Sequence, residues 1–193
     1  EEMVEMRTVD GQIIAKFPTL VVNQLRHMVT RLKYTNDLPS QISIVSTLRG
    51  EGNTYITWAL ASIIANDLQA SVCAVELNWW QPSIRFSSVN SQIAAVLDSE
   101  ITLDEAIVKT QDPHFDFIPA GFLEPKKRAI YARRDDLKVL IEQLKERYDF
   151  VILDVPAILS TSASIPLASL SDHCCMVIRQ GVTQIDSVQI AIE

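Results

Sequence analysis

Residues 41–56 constrain the fold more than any other stretch, reading Gln-Ile-Ser-Ile-Val-Ser-Thr-Leu-Arg-Gly-Glu-Gly-Asn-Thr-Tyr-Ile. Ile42, Ile44 and Val45 make a short apolar strand, Gly50 and Gly52 fall in a loop, and a helix is expected from about 54 to 68. Ile56, Leu60, Ile63, Ile64 and Leu68 recur on the buried side of that helix. Strand, glycine loop and helix in this order are the setting of a phosphate-binding loop, G-x-x-x-x-G-K-[ST]. A helix N-terminus supplies unpaired N–H groups and partial positive charge, which suit a phosphate. Positions 47–54 read Thr-Leu-Arg-Gly-Glu-Gly-Asn-Thr: Gly52 and Thr54 match the pattern, but Asn53 stands where lysine is required.

The rest of the chain repeats the alternation of strand and helix. Strands are expected at 72–77, 115–118, 149–154 and 173–179, and helices at 20–32, 91–98, 102–110, 134–147, 163–170 and from 183 to the end. Thr102-Leu-Asp-Glu105 has the spacing of a capping box. Continuous apolar runs such as 72–77 suit strands covered on both faces. The pattern predicts an α/β fold of three layers, a mostly parallel central sheet with helices on both faces. Residues 1–19 show no clear periodicity and read as an arm or linker ahead of one domain over 20–193. Residues 120–132 read as a loop carrying the basic run Lys126-Lys127-Arg128. Trp79 and Trp80 sit in a polar loop, either as exposed interface aromatics or packed on a neighbouring helix.

Composition narrows the function classes. A formal net charge of −7 disfavours non-specific nucleic-acid binding, so no nucleic-acid partner is expected. No apolar run reaches the length of a membrane span. Cys73, Cys174 and Cys175 lie in strand-like runs without metal spacing and are expected to be buried thiols. His27, His114 and His173 stand alone.

A second element joins the loop. Asp154 ends the apolar run Tyr148-Asp-Phe-Val-Ile-Leu-Asp-Val-Pro156, where an acid of a phosphate-binding-loop enzyme helps to hold Mg²⁺. With it, the chain resembles the bacterial tyrosine kinase (BY-kinase) family of P-loop ATPases, relatives of the Min/Par-type ATPases. Residues 46–54 resemble that family's P-G-E-G-K-S loop, residues 75–83 its D-x-D-x-R-x-P-S motif, residues 117–121 its L-P-A-G segment and residues 181–183 its G-V-T. Residues 23–34 lie where the family has its E-x-x-R-x-x-R oligomer helix.

The resemblance implies ATP or ADP with Mg²⁺ as cofactor, held by Arg49, Gly50, Glu51, Gly52, Asn53, Thr54 and Tyr55, with Thr54 and Asp154 on the metal side. Glu76 and Asp154 are the candidate catalytic carboxylates. The departures fall on the chemistry. Asn53 lacks the lysine charge, Glu76 and Asn78 replace two aspartates, and Asn23 and Val29 replace charges of the oligomer helix. Losing a charge-assisted contact costs roughly 1.5–3 kcal/mol, about ten- to a hundredfold in affinity. The expectation is a pseudokinase, with weakened nucleotide binding and no phosphoryl transfer, acting by partner binding in cell-envelope exopolysaccharide synthesis and export. The implied partner is a membrane polysaccharide chain-length regulator or export protein, or an active kinase paralogue. The implied place is cytoplasmic, at the inner face of the membrane, as a monomer or small dimer. The alternatives are an active tyrosine autokinase, with Glu76 as base and Arg49 or a partner residue replacing the lysine, and a Min/Par-type positioning ATPase. Leu48 falls where the latter carry an additional loop lysine, which counts against them.

Overall fold

A computed structural model describes residues 2–86 and 88–193. Six strands form the central sheet: β3 (Gln41–Ser46), β4 (Val72–Glu76), β5 (Val108–Lys109), β6 (Phe115–Ile118), β7 (Phe150–Asp154) and β8 (Cys174–Val177). Their order is β5-β6-β4-β7-β3-β8, parallel throughout except for the β5–β6 pair.

Alternation along each strand feeds two hydrophobic layers. On one face Ile44, Val72, Ala74 and Ile152 pack with Val22 and Val29 of α1 (Thr19–Tyr34) and with Trp58, Leu60, Ile63 and Ile64 of α2 (Asn53–Leu68). On the other, Val45, Cys73, Val75, Val151 and Leu153 pack with Ile93 of α3 (Gln92–Leu97) and with Leu137, Leu140, Ile141 and Leu144 of α6 (Asp135–Arg147). The α/β architecture of three layers is therefore the one read from the apolar runs.

Parallel pairing brings the C-terminal ends of β3, β4 and β7 to one edge, with Glu76 opposite Asp154 in register. Open parallel sheets bind ligands outside that edge. The helix α2 starts there, directly after the glycine loop.

Several local expectations fail for tertiary reasons. Residues 1–19 contain a hairpin, β1 (Met3–Arg7) paired antiparallel with β2 (Ile13–Pro18), rather than a loose arm. Only Met6 and Phe17 of these strands are buried, against the α1–α2 layer, too few to show a period of two in sequence. The basic run lies in a helix, α5 (Pro125–Tyr131), started by Pro125 in the first turn, where its missing N–H costs nothing, and anchored by buried Tyr131. The capping box at Thr102 is formed, but α4 (Leu103–Ala106) is short because Val108 and Lys109 pair with β6 instead. Trp79 is fully buried and donates its indole N–H to Ser91 Oγ at 2.9 Å, so it is a core residue; Trp80 packs partly buried beside it. Of the thiols, Cys73 is buried, Cys175 half-buried and Cys174 exposed, because β8 is an edge strand. The chain continues through α7 (Ser164–Ala168) to α8 (Ile185–Ile192). No helix among the described residues is long and apolar enough to cross a membrane.

Candidate functional site

The loop between β3 and α2 is shaped by two glycines. Gly50 has φ 82° and Gly52 φ 95°, a region that side chains with a Cβ enter only under strain. A Cβ built on either would meet nothing within 4 Å, so the loop encloses open space above both glycines. Gly52 caps α2 without any side-chain hydrogen bond, and no acidic residue lies in the first turn. The leading N–H groups of a sixteen-residue helix therefore face the opening.

Glu51 turns away from this opening. Its Oε2 accepts from the backbone N–H groups of Thr47 (2.9 Å) and Leu48 (3.0 Å). Its Oε1 accepts from the Thr183 hydroxyl, which in turn accepts from Arg179 N–H at 2.8 Å. The loop thus carries its own internal anion, tied to the turn that leads into α8.

Asn53 turns inward as well. Its Nδ2 lies 2.7 Å from the Ile44 carbonyl, 2.7 Å from the Val155 carbonyl and 3.0 Å from Asp154 Oδ1. Three oxygen acceptors around one atom fix it as the amide nitrogen, although an amide has only two hydrogens for them. Its Oδ1 is buried without a partner. The side chain clasps the ends of β3 and β7 and carries no charge to the opening.

Beneath the clasp lie two buried carboxylates. Asp154 Oδ2 accepts from the Thr54 hydroxyl at 2.5 Å. Burial pushes Asp154 up to about 8, and the neighbouring Glu76 charge pushes the same way; the Thr54 and Asn53 hydrogen bonds oppose both. Burial also raises Glu76, against the pull of hydrogen bonds from Ala120 N–H (3.0 Å), Ser83 N–H (2.8 Å) and the Ser83 hydroxyl (3.2 Å). Neither carboxylate lines the cleft. Glu76 joins the loops after β4 and β6, which is a structural placement.

The cleft above has a volume of about 410 Å³. Arg49, Gly50, Gly52, Asn53, Thr54 and Tyr55 line it from the loop and helix, and Asn78, Gln81 and Ser83 from the segment after β4. Arg49 is exposed at its rim with no hydrogen bond or ion pair among the described residues. A second chamber of about 310 Å³ adjoins it through Thr54, Tyr55 and Ser83, walled by Trp58, Arg85 and Phe86.

The site thus brings together the loop candidates Arg49, Gly50, Gly52, Asn53, Thr54 and Tyr55 and places Thr54 against Asp154, while Glu51, Glu76 and Asp154 lie outside the cleft lining. In shape, the open space over Gly50 and Gly52 fits a phosphate chain. Thr54, backed by Asp154, is the group that would hold a Mg²⁺ ion; no group of three or more His, Cys, Asp or Glu side chains that could hold a metal ion exists among the described residues. Two participants escaped sequence reading. Ser83 binds Glu76 and lines the cleft, and Thr183 holds Glu51. Both sat inside quoted motifs; Ser83 lies seven residues from Glu76 in the same motif, whereas Thr183 meets Glu51 from 132 residues away, which spacing does not reveal.

A glycine loop opening a helix at the carboxyl edge of a parallel sheet, with a strand-end acid beside it, defines a P-loop ATPase domain. The family model described as an AAA domain, AAA_31, matches residues 40–189, and the chain belongs to that family. Tyrosine-protein kinase YwqD of Bacillus subtilis (strain 168) is 23% identical over 146 residues, which are 74% of this chain and 61% of YwqD. The chain therefore spans about three-fifths of that relative. The kinase domain of Escherichia coli tyrosine kinase ETK is similar in fold, with a TM-score of 0.79 at 22% identity over 89% of this chain and 68% of that one. The septum site-determining protein MinD of Pyrococcus horikoshii OT3, complexed with Mg-ADP, gives a TM-score of 0.63 at 25% identity over 80% of this chain and 65% of its own.

Proposed function

We propose that this chain is a degenerate BY-kinase-like domain, a pseudokinase that acts by binding partners rather than by transferring phosphoryl groups. One observation carries the reading: at the lysine position, the Asn53 amide is neutral and its donors are used on Ile44, Val155 and Asp154. A cation at that position stabilises the transferring phosphoryl group, and an inward amide does not. The active-autokinase alternative needs Glu76 as base. Against it stands the burial of Glu76 beneath three donors, outside the cleft.

The family resemblance supports a place in cell-envelope polysaccharide synthesis and export, at the inner face of the membrane. The partner would be a chain-length-regulator type of membrane protein or an active kinase paralogue. Arg26 of the oligomer helix is paired with Asp67 of the same chain at 2.5 Å, which supports a monomer or small dimer. The test is incubation of the purified protein with Mg-ATP. Neither tyrosine phosphorylation nor ATP turnover is expected. Robust turnover that Asp154→Ala abolishes would overturn the reading, and a ring-sized species in light scattering would overturn the assembly state.

A further inference from the structure

We infer that Arg49 has taken over the phosphate-binding charge of the missing lysine, so that the loop binds a diphosphate group without needing a metal ion. The inference deepens the proposed reading and rests on it in one respect: binding is uncoupled from transfer.

Four observations converge. Arg49 lines the cleft and is exposed, with no carboxylate or other partner among the described residues. The other charged group of the loop, Glu51, is fastened to Thr47, Leu48 and Thr183, so it neither neutralises Arg49 nor enters the cleft. The space over Gly50 and Gly52 is open, and the uncapped N–H groups of α2 face it. Asn78, Gln81 and Ser83 complete a polar wall without adding a carboxylate.

The chemistry follows from the two cations compared. A lysine at 53 would be a point charge rising from the loop floor. The guanidinium of Arg49 is a planar fork at the rim, matched to two phosphate oxygens at once. Backbone N–H groups below and a guanidinium above can enclose a diphosphate from two sides. On the metal side, both Asp154 oxygens already accept hydrogen bonds, from Asn53 and Thr54. Charge neutralisation of the ligand therefore falls to Arg49 rather than to an ion.

The test is isothermal calorimetry of the whole chain with ADP and, separately, inorganic pyrophosphate, each with Mg²⁺ and with EDTA. ADP binding is expected in both conditions; pyrophosphate binding of comparable strength assigns recognition to the phosphates, and a large advantage for ADP adds a contribution from the nucleoside. Arg49→Ala should weaken binding about ten- to a hundredfold, the value of a charge-assisted contact. Arg49→Lys should retain part of it, and thermal melts of both variants should match the parent. Absence of binding by the parent chain, loss of binding in EDTA, or unchanged affinity in Arg49→Ala would each overturn the inference. ATP turnover by a chain that binds through Arg49 would overturn the pseudokinase reading and leave Arg49 in place. Neither turnover nor binding would do the reverse.

Discussion

The β3–β7 ends and the β8–α8 edge are built in opposite ways. At the first, polar groups are enclosed and nearly every donor has an acceptor: Asn53 and Thr54 donate to Asp154, and Ser83 donates to Glu76, whose charge acts on Asp154. At the second, α8 has no buried residue, and Ile185, Ile190 and Ile192 are all exposed. Apolar surface lies open at the edge, while polar groups are enclosed at the loop. Removing one partner from a buried network leaves desolvated groups behind, whereas trimming an exposed side chain removes almost nothing. Substitution sensitivity should therefore concentrate at the loop.

The hardest challenge to that contrast is Asn53→Asp. A carboxylate would face the Ile44 and Val155 carbonyls and Asp154, all acceptors. A loss of roughly 3 kcal/mol or more is expected in urea unfolding, partly recovered at low pH where the new acid is protonated. Asn53→Ala removes the donors without adding charge, and should cost roughly 1–3 kcal/mol. If both variants are neutral, the clasp is incidental.

Phe17→Ala tests whether the amino-terminal hairpin belongs to the core. Phe17 is buried and in edge contact with Tyr55 at a ring separation of 5.0 Å. A cost of about 3–5 kcal/mol is expected, whereas a detached arm would cost almost nothing.

Asp154→Asn sharpens the electrostatic half of the comparison. The folded carboxyl titrates at about 8, above its ordinary unfolded value, so the folded state holds the proton more tightly. That stabilising contribution is complete below about pH 4, declines as pH rises, and is lost above about pH 8. Melting temperature should fall across this window in the parent chain and fall less in Asp154→Asn, which keeps an acceptor for Asn53 and a donor for Thr54. Equal slopes would remove Asp154 as the titrating group. The smallest effect is expected at the open edge, where Ile190→Ser should stay within about 0.5 kcal/mol of the parent.

Much of this was legible in sequence. Strand and helix alternation, the buried runs, the glycine loop and the strand-end acid are local patterns, and each was placed within a few residues of its observed position. What escaped were features decided by distant partners. Phe17 needs α2 to be buried, Val108 needs β6 to become a strand, and Trp79 needs Ser91 for its N–H. Residues 120–132 read as a loop, though Pro125 opens a helix there that the buried Tyr131 anchors.

The chain's own order of residues determined that it is an α/β domain with a phosphate-loop scaffold and that lysine is absent from position 53. Hydrophobic period and backbone-specific residues act over a few positions, so they survive in one dimension. Only the tertiary structure decided what Asn53 and Arg49 do. An asparagine at that position could face the cleft or the strands. Three oxygens, from Ile44, Val155 and Asp154, converge on its nitrogen only when β3 and β7 lie side by side. Arg49 stays free because Glu51, its nearest carboxylate in the loop, is held by Thr183 from 132 residues away.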